Sequence, residues 1–250
     1  MTLLAFGGLS FSSRVHELSL LDTSLVKNLR GSPPRSHDFS HELSNALPFV
    51  KHRRHRYNSI MNIFVLDTDP ARAAKAHCDK HVVKMILESG QMLCGAHWLL
   101  RLEELGRPVS SFKKLKDAKA YALENLPANL IPPYKLSHAH HPCTVWTAAS
   151  RGNYDWHLRF MRALLDEYTS RYSKKHSCER IYEWALPGPP PNIPDIGLTD
   201  HPQCVPDECK VESDVVSAYR NYYIQHKAYM AKWKHGNEPD WWKKPVNIDN

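Results

Sequence analysis

The chain has no apolar run approaching the roughly 18 residues that span a bilayer, no CxxC pair, no HExxH motif and no internal repeat. The first absence excludes a membrane-spanning helix in the sequence, and no membrane partner is expected. The second, with no convincing secretory signal, makes Cys78, Cys94, Cys143, Cys178, Cys204 and Cys209 thiols of an intracellular, reducing compartment, cytoplasmic or nuclear. Cys204-x4-Cys209, in a Pro-rich stretch, offers at most half of a zinc site. Residues 1–60 lack Trp and Cys altogether, although the remainder holds all seven Trp and all six Cys.

What residues 1–60 do contain is Ser, Arg and His, ending in KHRRHRYNS. Their eight Lys or Arg and four acids give +4 of the formal +7, so only +3 is left for the other 190 residues. A transit peptide, a basic arm on nucleic acid and translated upstream sequence all fit this composition. The acids Glu17, Asp22, Asp38 and Glu42 weaken the first reading, and the abrupt MNIFVLD favours the last. The expected organisation is a basic, disordered or non-native extension over 1–60, then a single compact domain over 61–250. Hydrophobic content of 42% supports a packed core there.

That domain reads as mainly α: three long helices, long Pro-rich loops and little sheet. Asn62–Leu66 is a short extended run. Asp69-Pro70 then caps a helix predicted from Pro70 to Leu100. At about 100° per residue, His77, His81, Lys84, Glu88 and Gln91 form one narrow polar line, with Val83, Met85, Leu87 and Met92 at its sides. A polar line on an apolar helix points to a cleft, because ionisable groups kept from water are costly unless paired. The competing reading is a surface ladder in which Lys84 and Glu88 attract at i,i+4.

The second long helix is predicted over Thr144–Tyr172, with Ser150, Asn153 and His157 interrupting its apolar stripe. They either close the cleft or form a hydrogen-bonded buried group. The third, over Val211–Lys234, gathers Tyr219, Tyr222, Tyr223, His226, Lys227 and Met230, with Arg220 beside Lys227. Such a face stacks bases and meets phosphates, or packs on the core. Trp241 and Trp242 in the tail are either a lid or an exposed aromatic contact.

Two chemistries can use these residues. His77 and His81, at i,i+4, suit two ligands of one metal, with His138, His140, His141, Asp79 or Glu88 completing the shell. Alternatively Glu88 stabilises an oxocarbenium-like sugar centre or acts as general acid–base, while an amine attacks the same carbon. The second needs no metal or cofactor.

The stretch MNIFVLDTDPARAAKAHCDKHVVKMILESGQML resembles the opening of a group of uncharacterised phage-type proteins that likewise begin near Met61. More distantly, the chain is similar to the pyrimidine-dimer DNA glycosylase/AP-lyase family of the phage endonuclease type. That family carries a His and, seven residues on, an essential Glu on an early helix; His81 and Glu88 match this spacing. The resemblance implies a compact helical fold, Glu88 as catalytic acid, and late aromatics that bind DNA. It also implies attack by the α-amine of a processed N-terminus, which requires a start at Met61. Asn62 then stands where the family has Thr, and Leu87 and Gln91 stand where it has Arg.

The expected function is therefore a DNA glycosylase/AP lyase acting on damaged or modified bases. Glu88, His81, Lys84 and His77 are its catalytic candidates. Gln91, Ser150, Asn153, His157, Tyr219, Arg220, Tyr223 and Lys227 are its substrate-binding candidates, and DNA is its partner. A metal-dependent nuclease or hydrolase built on His77, His81 and His141, and a non-catalytic nucleic-acid-binding protein, are the alternatives.

Overall fold

Residues 61–66 are buried throughout, yet among the described residues no strand forms. The computed structural model describes residues 61–242, so the expected 1–60 extension and Lys243–Lys244 of the tail lie outside it. With no sheet to join, the apolar segment is enclosed by helices instead. Phe64 within it has φ of 53°, a left-handed conformation that a bulky side chain adopts at a cost of about 1–3 kcal/mol. Its ring lies parallel to that of Tyr222, with centroids 5.7 Å apart.

Asp69 caps α1 (Pro70–Ala76), its carboxylate accepting the Arg72 N–H at 2.8 Å, with Pro70 in the first turn. The single helix expected from Pro70 to Leu100 is broken: His77 and Cys78 are extended, and α2 runs Asp79–Glu104. No Gly or Pro marks this break. What stabilises it is Arg171, whose side chain is 1% exposed. Its guanidinium donates to the carbonyls of His77 at 2.8 Å and Lys75 at 3.0 Å, and pairs with Asp79 and Glu167. Removing a buried, paired cation leaves its partners uncompensated, but Asp79 and Glu167 keep some access to water. Arg171→Ala is therefore expected to cost about 3 kcal/mol, the lower end for such pairs, read as a lowered urea midpoint.

Two further helices pack across α2: α4 (Pro142–Ala149) and α5 (Arg151–Tyr172). The expected helix from Thr144 to Tyr172 is also two. Ser150 is extended and caps α5, its Oγ accepting the Asn153 N–H at 3.2 Å. Gly152 follows because the loop at 197–198 crosses the helix there: a Cβ would stand 2.3 Å from Gly197 C and 2.4 Å from Leu198 N. Helix propensity favours Ala over Gly by about 1 kcal/mol, but backbone cannot step aside as a flexible side chain can. Gly152→Ala is expected to destabilise by about 1–3 kcal/mol, read as a lower melting temperature; an unchanged or raised value would refute the close approach.

The remaining α-helices among the described residues are α3 (Leu115–Asn125), α6 (Glu179–Ala185) and α7 (Val215–Tyr222). The third long helix is a correction: α7 has eight residues and passes into a π turn, Tyr223–Lys227. A small second core of Trp98, Leu102, Ala118, Ala122, Leu136 and Ala139 seats α3 against α2. Long Pro-rich loops and a mainly α architecture are as expected. Among the described residues no helix is long and apolar enough to cross a membrane.

Candidate active site

The early turns of α2 do not present one polar line to a cleft. Lys80, Val83, Lys84 and Leu87 are exposed along one strip and Gln91 is half-buried, while His81 and Glu88 turn inward at its edge. His77 stands before the helix begins, so its place on the wheel is lost. It is fully buried, with Nδ1 2.6 Å from the Ala73 carbonyl. Val83 and Leu87, expected at the sides, are the apolar part of the exposed strip.

Glu88 is 5% exposed, and both of its oxygens are engaged. Lys84 Nζ lies 2.9 Å from Oε1. The main-chain N–H of Asn62 donates to Oε2 at 3.1 Å. Asn62 is itself fixed: Nδ2 donates to the Cys204 carbonyl at 2.8 Å, and Oδ1 accepts from Tyr219 Oη at 2.7 Å and from Ile63 N at 2.9 Å. One buried carboxylate thus sits between an ammonium and the backbone nitrogen of residue 62. Composition and spacing do not expose Asn62 as a site residue. The signals are a polar residue at the head of the apolar run NIFVL and the place that the resemblance gives residue 62.

His81 borders this pair. Nδ1 and the Tyr223 hydroxyl are 2.5 Å apart, and the Phe64 ring lies 4.5 Å away. Burial, and then the nearby His77, Lys227 and Lys84, hold its pKa well below the usual imidazole value, so it is neutral near pH 7. Burial brings His77 down to about 4, opposed by the Ala73 carbonyl and assisted by Arg171. Lys227, on the π turn, has its ammonium 4.6 Å over the Tyr222 ring. Burial lowers its pKa, and the Lys84 charge adds to this. π turns recur at functional sites, and this one carries a second amine into the neighbourhood of Lys84 and Glu88.

The other expected binding residues divide. Tyr219 and Tyr223 are fully buried, so neither ring is a platform for a base; they brace Asn62 and His81 from behind. The late aromatic face packs on the core, and Trp242 is buried against Trp233. Ser150, Asn153 and His157 are fully buried and do not close the cleft. Ser150 Oγ donates to the Gly197 carbonyl, Asn153 brackets Thr199 and Trp146, and His157 Nδ1 meets Thr147 Oγ1 at 2.8 Å. They join α4 and α5 to the 197–199 loop. Arg220 donates to the Leu66 carbonyl and lies 5.3 Å over the Trp241 ring. It lines a cleft of about 580 Å³ with Arg72, Lys75 and Trp241. A second cleft of about 510 Å³ lies beside Val65 and Thr68; neither is lined by Glu88. Lys84, whose side chain is 48% exposed, covers the carboxylate.

His141 does not join His77 and His81. Among the described residues, the group with donor atoms close enough for one metal ion is His141, Cys143 and Cys204. Cys209 is apart, its thiol 3.6 Å from Gln225 Oε1. Compared with family models, curated proteins and solved structures, the chain matches none.

Proposed function

We propose that the protein is a DNA glycosylase/AP lyase in which Glu88 is the acid–base and residue 62 supplies the nucleophilic nitrogen. The observation that carries this is the 3.1 Å separation between Asn62 N and Glu88 Oε2, away from water. In the intact chain that nitrogen is an amide and cannot attack. A chain whose first residue is Asn62 presents an α-amine at the same place, and α-amines have an ordinary pKa of about 8. Glu88 at 3.1 Å is placed to take the amine's proton, which leaves the neutral, nucleophilic form.

The amine adds to C1′ of the deoxyribose as the bond from C1′ to the base breaks, and the base leaves with the bonding pair. Glu88 stabilises the positive charge that develops at C1′. It then carries the amine's proton to the ring oxygen, which opens the sugar and leaves an imine between residue 62 and C1′. The same carboxylate removes a C2′ proton, the C3′–O bond breaks to release the phosphate, and water hydrolyses the imine. Swinging Lys84 aside opens the carboxylate, a small movement for a flexible, half-exposed side chain. Lys80, Lys84 and Lys227 meet phosphates, and the six free cysteines suit an intracellular, reducing setting.

Borohydride reduction of the imine tests the reading. A chain beginning at Asn62, released from a fusion by a site-specific protease, is incubated with abasic or ultraviolet-irradiated duplex DNA. A trapped covalent adduct is expected, mapping by mass spectrometry to residue 62 and lost when the amine is acetylated. The N-terminal mass of the native protein shows whether that amine exists in cells. Neither adduct nor strand cleavage from this chain or the full one would sink the proposal.

A further inference from the structure

Behind Asn62 lie three metal-type donors from two distant parts of the chain. Cys143 stands in the first turn of α4, His141 is that helix's N-cap, and Cys204 comes from the loop after α6. The sulfurs of Cys143 and Cys204 are 3.6 Å apart, and one ring nitrogen of His141 completes a group whose members all lie within 4.8 Å of one another. We infer that His141, Cys143 and Cys204 form a binding site for a thiophilic divalent ion, zinc by its donor set.

The geometry is close to what the ion requires. Zn–S bonds of about 2.3 Å at tetrahedral angles set two sulfurs about 3.8 Å apart, and these sulfurs already stand at 3.6 Å. The widest pair closes by about 1 Å. His141 Nδ1 accepts the Cys143 N–H at 3.2 Å, so the lone pair on that nitrogen faces the cysteine. That bond caps α4 and accounts for Nδ1; Nε2 is buried with no hydrogen-bond partner, and capping gives it no role.

The charges also close. Binding M²⁺ displaces the protons of two thiols to solvent, and two thiolates then neutralise the ion, so no net charge is buried. A fourth tetrahedral position is left for water. The ion would fasten the start of α4 to the loop whose Cys204 carbonyl holds Asn62 Nδ2. Its place is therefore that of a clasp behind the candidate site, and it stands whether or not residue 62 is ever an amine.

Elemental analysis of the full chain, purified in reductant without chelator, is expected to find about one zinc per chain. Chelator-treated protein titrated with cobalt(II) should develop a thiolate-to-cobalt charge-transfer band and the strong visible absorption of a tetrahedral ion. The cobalt spectrum is read on the unaltered protein and so needs no variant to fold. Cys204→Ser and His141→Ala should lose the ion, while Cys209→Ser, a buried thiol outside the group, should keep it. Metal-free protein with no charge-transfer band would overturn the site. So would zinc retained in Cys204→Ser, or a Cys143–Cys204 disulfide in a non-reduced peptide map of protein handled anaerobically.

Discussion

Replacing Glu88 by Gln is expected to lower strand cleavage at abasic sites by about 10²–10⁴-fold, the usual contribution of a positioned acid–base group. Gln keeps the length of the side chain and one oxygen for the Asn62 N–H, but it removes the charge that pairs with Lys84 at 2.9 Å. Binding to abasic DNA in the absence of turnover should change by less than about tenfold, because the carboxylate charge acts chiefly on the transition state. Lys84→Met provides the contrast: it uncovers Glu88 and removes one phosphate partner, so the expected defect lies mainly in KM. Equal activity of Glu88→Gln and the parent chain would reduce Glu88 to a packing residue and remove the proposed chemistry.

Acidification has the second large expected effect. Burial lowers the pKa of His77 to about 4, and of His97 and His157 to about 3. Arg171, Arg101 and His201 respectively add to the shift. In the unfolded chain each returns to about 6.5. Because the folded values lie below the unfolded one, the stability tied to these rings is fully present above about pH 6.5 and is lost as the pH falls toward the folded values. Each ring contributes a slope of about 1.4 kcal/mol per pH unit, so the three together approach about 4. Set against a typical total of about 5–15 kcal/mol, these rings alone remove the low end of that range by about pH 5 and its middle by about pH 4. Melting curves at about pH 7.5 and about pH 5 should differ sharply, and His157→Gln should flatten the dependence by about one ring's share. Equal melting temperatures at the two pH values would show that the rings are not buried neutral.

Helical character was legible because periodicity survives in any single stretch: the apolar pattern around His81–Leu100 and Asn153–Tyr168 is that of buried helices. The breaks were not. His77-Cys78 contains neither Gly nor Pro, and the carbonyls it frees are taken by Arg171, more than 90 positions away. Ser150 is a good N-cap, but within a helical pattern it reads as a polar interruption. The same locality limited the site. Glu88 stood out as a carboxylate on an apolar helix, whereas its partner is a backbone nitrogen, which no side-chain pattern encodes. Tyr219 and Tyr223 sit at the right places to be read as a stacking face, and burial alone turns them inward. Cys143 and Cys204 are separated by 61 positions, and nothing in their spacing pairs them.

The partners that hold Asn62 in place, Cys204 and Tyr219, come 142 and 157 positions after it in the chain. A ribosome adding about 5–20 residues per second needs roughly 10–30 s to supply them. Through that interval Glu88 and Lys84 have already been made, but nothing fixes residue 62 against the carboxylate. A nascent or prematurely terminated polypeptide therefore holds the acid without its aligned nitrogen. Chemistry of the kind proposed, hazardous to intact DNA if unconfined, becomes possible only after Tyr219 has been made.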